Sequence, residues 1–337
     1  MTAPAEAPVE SSAVARVSSM PHIQMRFVAI WLAMIALIVI GGIIAPRSLL
    51  PSAFLATVPL AAFLMIASAG EALVLMSRGI DLSIPAIITL SSTMLLGFSG
   101  GRDEDILVAV VAALLFATAI GLINGTLVAI LKLNALIVTL AVGAITTGAT
   151  LWYRESLPAE SRVPPALADW GGSRILGLNV SVWVAAVLVV TLSLALRKTT
   201  LGRRFSAVGA NPRSAWVAAI NVPAYQIAAF AIAGMLYGVA GILLSAFIRN
   251  PTLLVGDPYL LAPIAAAVLG GTAITGGVGS MVAVAGAALF LTHLGQILKM
   301  LGLSTAIQVI IQGIAIAIGM ALAESKLSLT KLLKRER

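Results

Sequence analysis

Cysteine is absent from the chain, and with it every disulfide, iron–sulfur cluster and thiolate zinc site. Histidine occurs twice, at His22 and His293, too far apart in sequence to suggest a metal pair. Charge is scarce: 10% of residues are charged, against about 25% in a soluble domain. With 60% hydrophobic residues and a mean hydropathy of +1.07, this excludes a water-soluble globule. No Gly-Lys pair occurs, so the chain lacks the G-x-x-x-x-G-K-[ST] loop that cradles nucleotide phosphates and cannot hydrolyse ATP through it. No cofactor or metal is expected.

What fills the 337 residues is a series of continuous Ala/Leu/Ile/Val runs, not the alternating ten-residue segments of an outer-membrane barrel. The expected fold is all-α and polytopic. At about 20 residues per span, ten candidate spans lie at 27–45, 53–76, 84–98, 106–131, 135–152, 178–196, 225–248, 259–272, 281–298 and 304–323. Residues 1–26, rich in Ala, Pro, Glu and Ser, read as a disordered tail, 27–323 as the transmembrane domain, and 324–337 as a basic tail. The nineteen-residue first run reads as an uncleaved span.

The net charge of +8 reads as topology, not as a nucleic-acid site. With both termini inside, 14 of the 21 basic residues fall on the inner side, and the seven outer ones share their loops with seven acids. The longest inner segment, 197–223, carries five of the 14.

Two spans are short and interrupted. The third follows Arg78-Gly79-Ile80-Asp81-Leu82-Ser83 and contains Pro85; the eighth runs into Gly270-Gly271 and Gly276-Gly277-Val278-Gly279. Broken helices are expected there, because non-helical backbone at membrane depth survives only inside protein or beside water; two ordinary loops are the alternative. Ile130-Leu131-Lys132 before the fifth span echoes Ile297-Leu298-Lys299 before the tenth. A five-plus-five inverted repeat predicts such an echo, and chance also produces three matches in so apolar a chain.

Within 197–223, Asn211 followed by Pro212 supplies an N-cap and a first-turn proline. A short helix is expected to run from there through Arg213, Ala215, Trp216 and Ala219 towards Asn221 and Pro223. Held between two spans, it can dock a partner protein or rest on anionic lipid headgroups with Trp216 as anchor.

Gly202-Arg203-Arg204 … Gly209-Ala210-Asn211-Pro212 … Ala215 … Ile220-Asn221-Val222 resembles the cytoplasmic signature of ribose-type sugar ABC importer permeases. Gly79-Ile80-Asp81-Leu82-Ser83, Gly121 … Asn124-Gly125, Val138-Thr139-Leu140 and Ile264-Ala265-Ala266 … Leu269-Gly270-Gly271-Thr272 … Gly276-Gly277 … Gly279 resemble further family segments, in order, over about residues 60–323. The chain departs from the family at Ser206 (often Tyr), at Ala210 and Ala219 (usually Gly), at Trp216 (commonly basic), at Pro85 (usually Gly) and at Ala273 (commonly Ser). The resemblance implies a permease subunit in the bacterial inner membrane, moving a monosaccharide or small polyol. It further implies a homodimer, fed by a periplasmic substrate-binding protein and driven by a separate cytoplasmic ABC ATPase. It assigns Gly209, Asn211, Pro212, Arg213, Ala215, Trp216, Ile220 and Asn221 to coupling with that ATPase.

Glu71 is the one acid deep in an apolar run. Charged residues at a helix centre cost about 2.5–3.5 kcal/mol on insertion scales, so it is expected to face the interior. It reads as a polar contact of the translocation path, a proton site, or a carboxyl paired with Arg78 or a backbone group. Asp81, three residues after Arg78, is expected to ion-pair with it if the turn is helical. Asn124 and Thr139 line a solute path or hydrogen-bond between helices; with Gly270, Gly271 and Thr272 they complete the candidate path. His293 reads as a packing residue. Gly121 with Gly125, and Gly234 with Gly238, are small-xxx-small pairs that permit close helix contact. The rivals are an ion-coupled secondary transporter using Glu71 and Asp81, a membrane scaffold without a solute, and an ABC permease for branched-chain amino acids.

Overall fold

The computed structural model describes residues 25–158 and 161–324. But for Met25, Arg26 and Glu324, the two expected tails lie outside the described residues. Thirteen α-helices are described: α1 (Met25–Ile44), α2 (Pro51–Met76), α3 (Ile84–Ser99), α4 (Ile106–Ala129), α5 (Ala135–Glu155), α6 (Pro165–Gly172), α7 (Val180–Lys198), α8 (Thr200–Ala210), α9 (Pro212–Val217), α10 (Val222–Ile248), α11 (Ala262–Leu269), α12 (Met281–Met300) and α13 (Thr305–Glu324). A two-residue hairpin, Arg174–Ile175 with Leu178–Asn179, is the sole sheet among the described residues.

Each of the ten expected runs coincides with a helix. Among the described residues, seven of these helices are long and apolar enough to cross a membrane, whereas α3, α11 and the Ala306–Ala317 stretch of α13 are shorter. The protein is therefore an all-α, multi-pass membrane protein. Its outward faces are apolar, as lipid requires: Leu107, Ile145, Trp152 and Val187 are exposed on α4, α5 and α7.

Without a hydrophobic drive between helices in lipid, close packing holds the bundle together. The centre is α2, buried from Thr57 to Met76 but for Leu60, with α10 against it and α4 laid along α10. On the α4–α10 seam, Cβ atoms added at Gly121 and Gly234 would lie 2.3 Å from the Phe230 carbonyl oxygen and 2.5 Å from that of Ala117. The backbones touch, so these glycines do pack helices together within one chain.

Pro85 does not break α3 but starts it, in the first turn where no amide hydrogen bond is lost. The eighth span is shorter than expected: after a 3-10 turn at Asp257–Tyr259, only Ala262–Leu269 is α-helical. The segment before α11 folds back inside, where the Gly256 N–H donates to Thr89 Oγ1 (3.2 Å) and a Cβ on Gly256 would meet the Pro85 carbonyl oxygen at 2.1 Å. Between α5 and α7, residues 161–179 hold α6 and the hairpin. Asp103 caps α6 by accepting from the Ala166 N–H (2.9 Å), and Asn179 Nδ2 donates to the Gly171 carbonyl (2.9 Å).

Candidate functional site

The α8–α9 end of the bundle carries the coupling candidates. Thr199 caps α8, its hydroxyl oxygen accepting from the Gly202 N–H (3.0 Å). Asn211 then ends α8 and caps α9: its backbone is extended and its side chain accepts from the Ser214 N–H (3.1 Å). Pro212 occupies the first turn. The expected helix through Ala219 stops early, at Val217. Ala219 takes a left-handed φ of 57°, and the Ile220 N–H reaches back to the Ala215 carbonyl (3.0 Å) while the Ala219 N–H reaches Trp216 (2.9 Å). This is the Schellman closure, normally made with glycine at the left-handed position, and here alanine fills it. Asn221 then caps α10 through the Ala224 N–H (3.2 Å).

Three caps within eleven residues leave α9 rigidly presented. Its one buried side chain is Ala215, while Trp216 is 70% exposed beside exposed Val217. A cleft of about 830 Å³ opens between α9 and the α4–α5 turn, lined by Lys132, Arg213, Trp216, Ile220 and Asn221 among others. Gly209 lies deeper: a Cβ there would stand 1.9 Å from the Met76 carbonyl oxygen and 2.5 Å from the Gly277 nitrogen. Of the coupling candidates, then, Gly209 is a buried contact with α2, and Ala215 is the buried root of α9.

The path candidates separate into two groups. Glu71, Asp81, Asn124 and Thr139 are wholly buried and close together. Tyr237 Oη of α10 donates to Glu71 Oε2 (3.1 Å), and the Asp81 N–H to Glu71 Oε1 (3.4 Å). Asp81 Oδ1 accepts from the Ser83 N–H (2.9 Å) and hydroxyl (2.5 Å), and Asn124 Nδ2 donates to Ser83 Oγ (2.9 Å). Thr139 Oγ1 accepts from the Leu82 N–H (3.0 Å). The return loop 77–83 is thereby tied to α2, α4, α5 and α10. Tyr237 escaped the sequence reading and Ser83 entered it only as the end of the Gly79–Ser83 segment, because a Tyr in a span and a Ser in a turn carry no signal of their partners.

Arg78 pairs with neither Glu71 nor Asp81. It sits at a left-handed φ of 71° where α2 ends in its own Schellman closure, with Gly79 N–H to Val74 O and Arg78 N–H to Leu75 O both 2.9 Å. That twist turns the guanidinium towards α8, so the expected helical-turn ion pair does not form. The backbone partner expected for Glu71 is present.

Gly270, Gly271 and Thr272 form the second group, at the end of α11. Gly270 packs against α12, where its Cβ would meet Val284 Cα at 2.6 Å, and Thr272 is buried with Oγ1 unpartnered. The glycine segment that follows touches α2 where α2 ends: the Gly277 N–H donates to the Met76 carbonyl (2.8 Å). The two interruptions of the helical pattern therefore meet.

A sequence profile of the family described as branched-chain amino acid transport system / permease component matches residues 53–320. The chain belongs to that family of permease components. It is 32% identical to the ribose import permease protein RbsC of Escherichia coli (strain K12) over 264 residues, covering 77% of this chain and 82% of that protein. It is 30% identical to RbsC of Bacillus subtilis (strain 168) over 297 residues, or 88% and 92%. The autoinducer 2 import system permease protein LsrC of Shigella flexneri is 31% identical over 284 residues, or 82% and 80%. No solved structure matches the chain.

Proposed function

We propose that the chain is the permease subunit of an ABC importer for a monosaccharide or related small polyol. It works as a homodimer in the bacterial inner membrane with both termini cytoplasmic, a periplasmic binding protein delivering the solute and a cytoplasmic ATPase supplying the energy. The observation that carries this reading is α9, a six-residue helix capped at both ends that offers Trp216 and Val217 to solvent from between two membrane helices. A rigid knob of this kind transmits the closing of a partner mechanically. The sugar class rests on the import permeases for ribose and autoinducer 2 that the chain resembles, although the family's description names branched-chain amino acids.

Ten crossings arranged as five plus five are supported by the spacing of the elements. The second and seventh runs are the longest helices, α2 with 26 residues and α10 with 27, and they pack on each other. The third and eighth, α3 and α11, are the short ones that follow them. In this reading the enclosed network of Glu71, Asp81, Asn124 and Thr139 holds the wall of the solute path, and the backbone of the 270–272 turn faces its inner end.

The test is purification of the tagged chain in mild detergent, with mass spectrometry and an ATPase assay on the eluate. A stoichiometric ABC ATPase that is lost on Trp216→Ala, with membrane insertion intact, is the expected result. A chain that purifies without an ATPase overturns the reading.

A further inference from the structure

α2 and α8 meet end to end without covalent continuity, and one side chain bridges them. Arg78 Nε donates to the Gly209 carbonyl (2.6 Å) and Arg78 Nη2 to the Ala210 carbonyl (2.5 Å). These are the last carbonyls of α8, which have no acceptor role inside the helix and sit at its negative dipole end. A planar guanidinium can take two such oxygens at once; an ammonium is a point donor. Arg78 is exposed, but the stem of its side chain is closely packed: a Cβ on Gly276 would stand 2.4 Å from Arg78 Cγ and 2.6 Å from the Gly209 carbonyl oxygen, and one on Gly209 would collide with α2.

Position 78 is a costly place for arginine. Its φ is left-handed, and the Schellman closure of α2 would be served better by glycine. A non-glycine residue is held in such a conformation only where the surrounding structure fixes it, and here two hydrogen bonds to α8 do so. On one side of Arg78 lies α8, which continues through Asn211 into α9. On the other lie residues 79–83, whose hydrogen bonds reach α4, α5 and α10 through Asn124, Thr139 and, by way of Glu71, Tyr237.

We propose that Arg78 is the positioning residue that couples the ATPase stroke to the solute path: it locks the end of α8 to the α2–α3 return, so that α9 and α3 move as one unit. The proposal rests on α9 being the ATPase contact. The route is short and physical, with two carbonyls, one guanidinium and a five-residue loop, and the loop's far side is the buried polar network.

The absence of cysteine allows a direct test. Ala207 on α8 and Phe98 on α3, both exposed, are replaced by cysteine and spin-labelled, in complexes assembled with an excess of unlabelled permease and the co-purified ATPase. The label-to-label distance is read with and without a non-hydrolysable ATP analogue, in the otherwise native chain and in the Arg78→Gly and Arg78→Lys variants. Expected is a distance that nucleotide leaves unchanged in the native chain, shifts clearly in Arg78→Gly, and shifts less in Arg78→Lys. Arg78→Gly relieves the left-handed backbone and gives up two hydrogen bonds of an exposed side chain, so its melting temperature is expected to stay near the native one; loss of coupling without loss of stability is an outcome that a purely structural role does not give. The same nucleotide response in all three overturns the proposal while leaving the ATPase contact standing. Failure of the native chain to retain an ATPase overturns the functional reading beneath it.

Discussion

Gly121→Ala compared with Gly148→Ala puts the central seam of the bundle to a quantitative test. Both glycines are helical, on α4 and α5. A methyl group at Gly148 meets nothing within 4 Å, whereas at Gly121 it stands 2.3 Å from the Phe230 carbonyl oxygen and 3.1 Å from Ala231 Cα, all backbone of α10. No side-chain rotation relieves that contact, so α10 must retreat by roughly an ångström, and overpacking of this kind costs about 1–3 kcal/mol. Alanine's helix preference returns about 1 kcal/mol at either position. Gly148→Ala is therefore expected to match or exceed the native stability, and Gly121→Ala to fall below Gly148→Ala by the overpacking cost. At 1.4 kcal/mol per decade this is about a five- to 150-fold smaller folding equilibrium constant. Thermal or denaturant melting of the purified proteins in one detergent reads the order directly. A Gly121→Ala protein that melts with Gly148→Ala would show that α4 and α10 do not approach along this line.

Ala219→Gly is expected to stabilise the protein by about 1–2 kcal/mol, because the left-handed turn closing α9 no longer opposes a Cβ; an unchanged melting temperature counts against that closure. Asn211→Ala removes the side-chain acceptor of the Ser214 N–H, costs about 1 kcal/mol, and should lower the yield of co-purified ATPase before it lowers membrane insertion. Glu71→Ala strands the Tyr237 hydroxyl and the Asp81 N–H in the interior at about 1–3 kcal/mol each, visible as a lower melting temperature. Glu71→Gln keeps the shape and an acceptor oxygen, and ATP-driven uptake of the chain's solute should survive it. Uptake abolished in a stable Glu71→Gln protein would point to ion coupling.

The helical, multi-pass character was legible because hydropathy acts on length, and each long apolar stretch coincides with a helix. The caps at Asn211 and Pro212 were legible because they are local. What failed to show were contacts that close over long sequence separations. Arg78 was read against its neighbours at 71 and 81, yet its partners lie 131 and 132 residues away, and only its left-handed backbone, invisible in composition, sends it there. Ala219 hid the end of α9 for a related reason: the sequence pattern flags glycine as a stop, and alanine there does not announce the turn it makes. The fold of residues 161–179 escaped because α6 and a two-residue hairpin are too short to leave a periodicity. Asp81, Asn124 and Thr139 were each singled out separately; their convergence runs through Ser83, which the Gly79–Ser83 motif contains but does not mark as a contact.

Eight residues of α11 rise about 12 Å, well under half of a hydrocarbon core of about 30 Å. The rest of that stretch of chain is irregular backbone, and its amides are served one by one: Gly256 by a threonine hydroxyl, Thr272 and Ala273 by the carbonyls of Ala267 and Val278. Polarity in this part of the interior is thus written into the main chain, where substitution cannot erase it. A survey of polar side chains would pass over it; its marks in the sequence are Pro258, Pro263 and the glycines at 256, 270, 271, 276, 277 and 279.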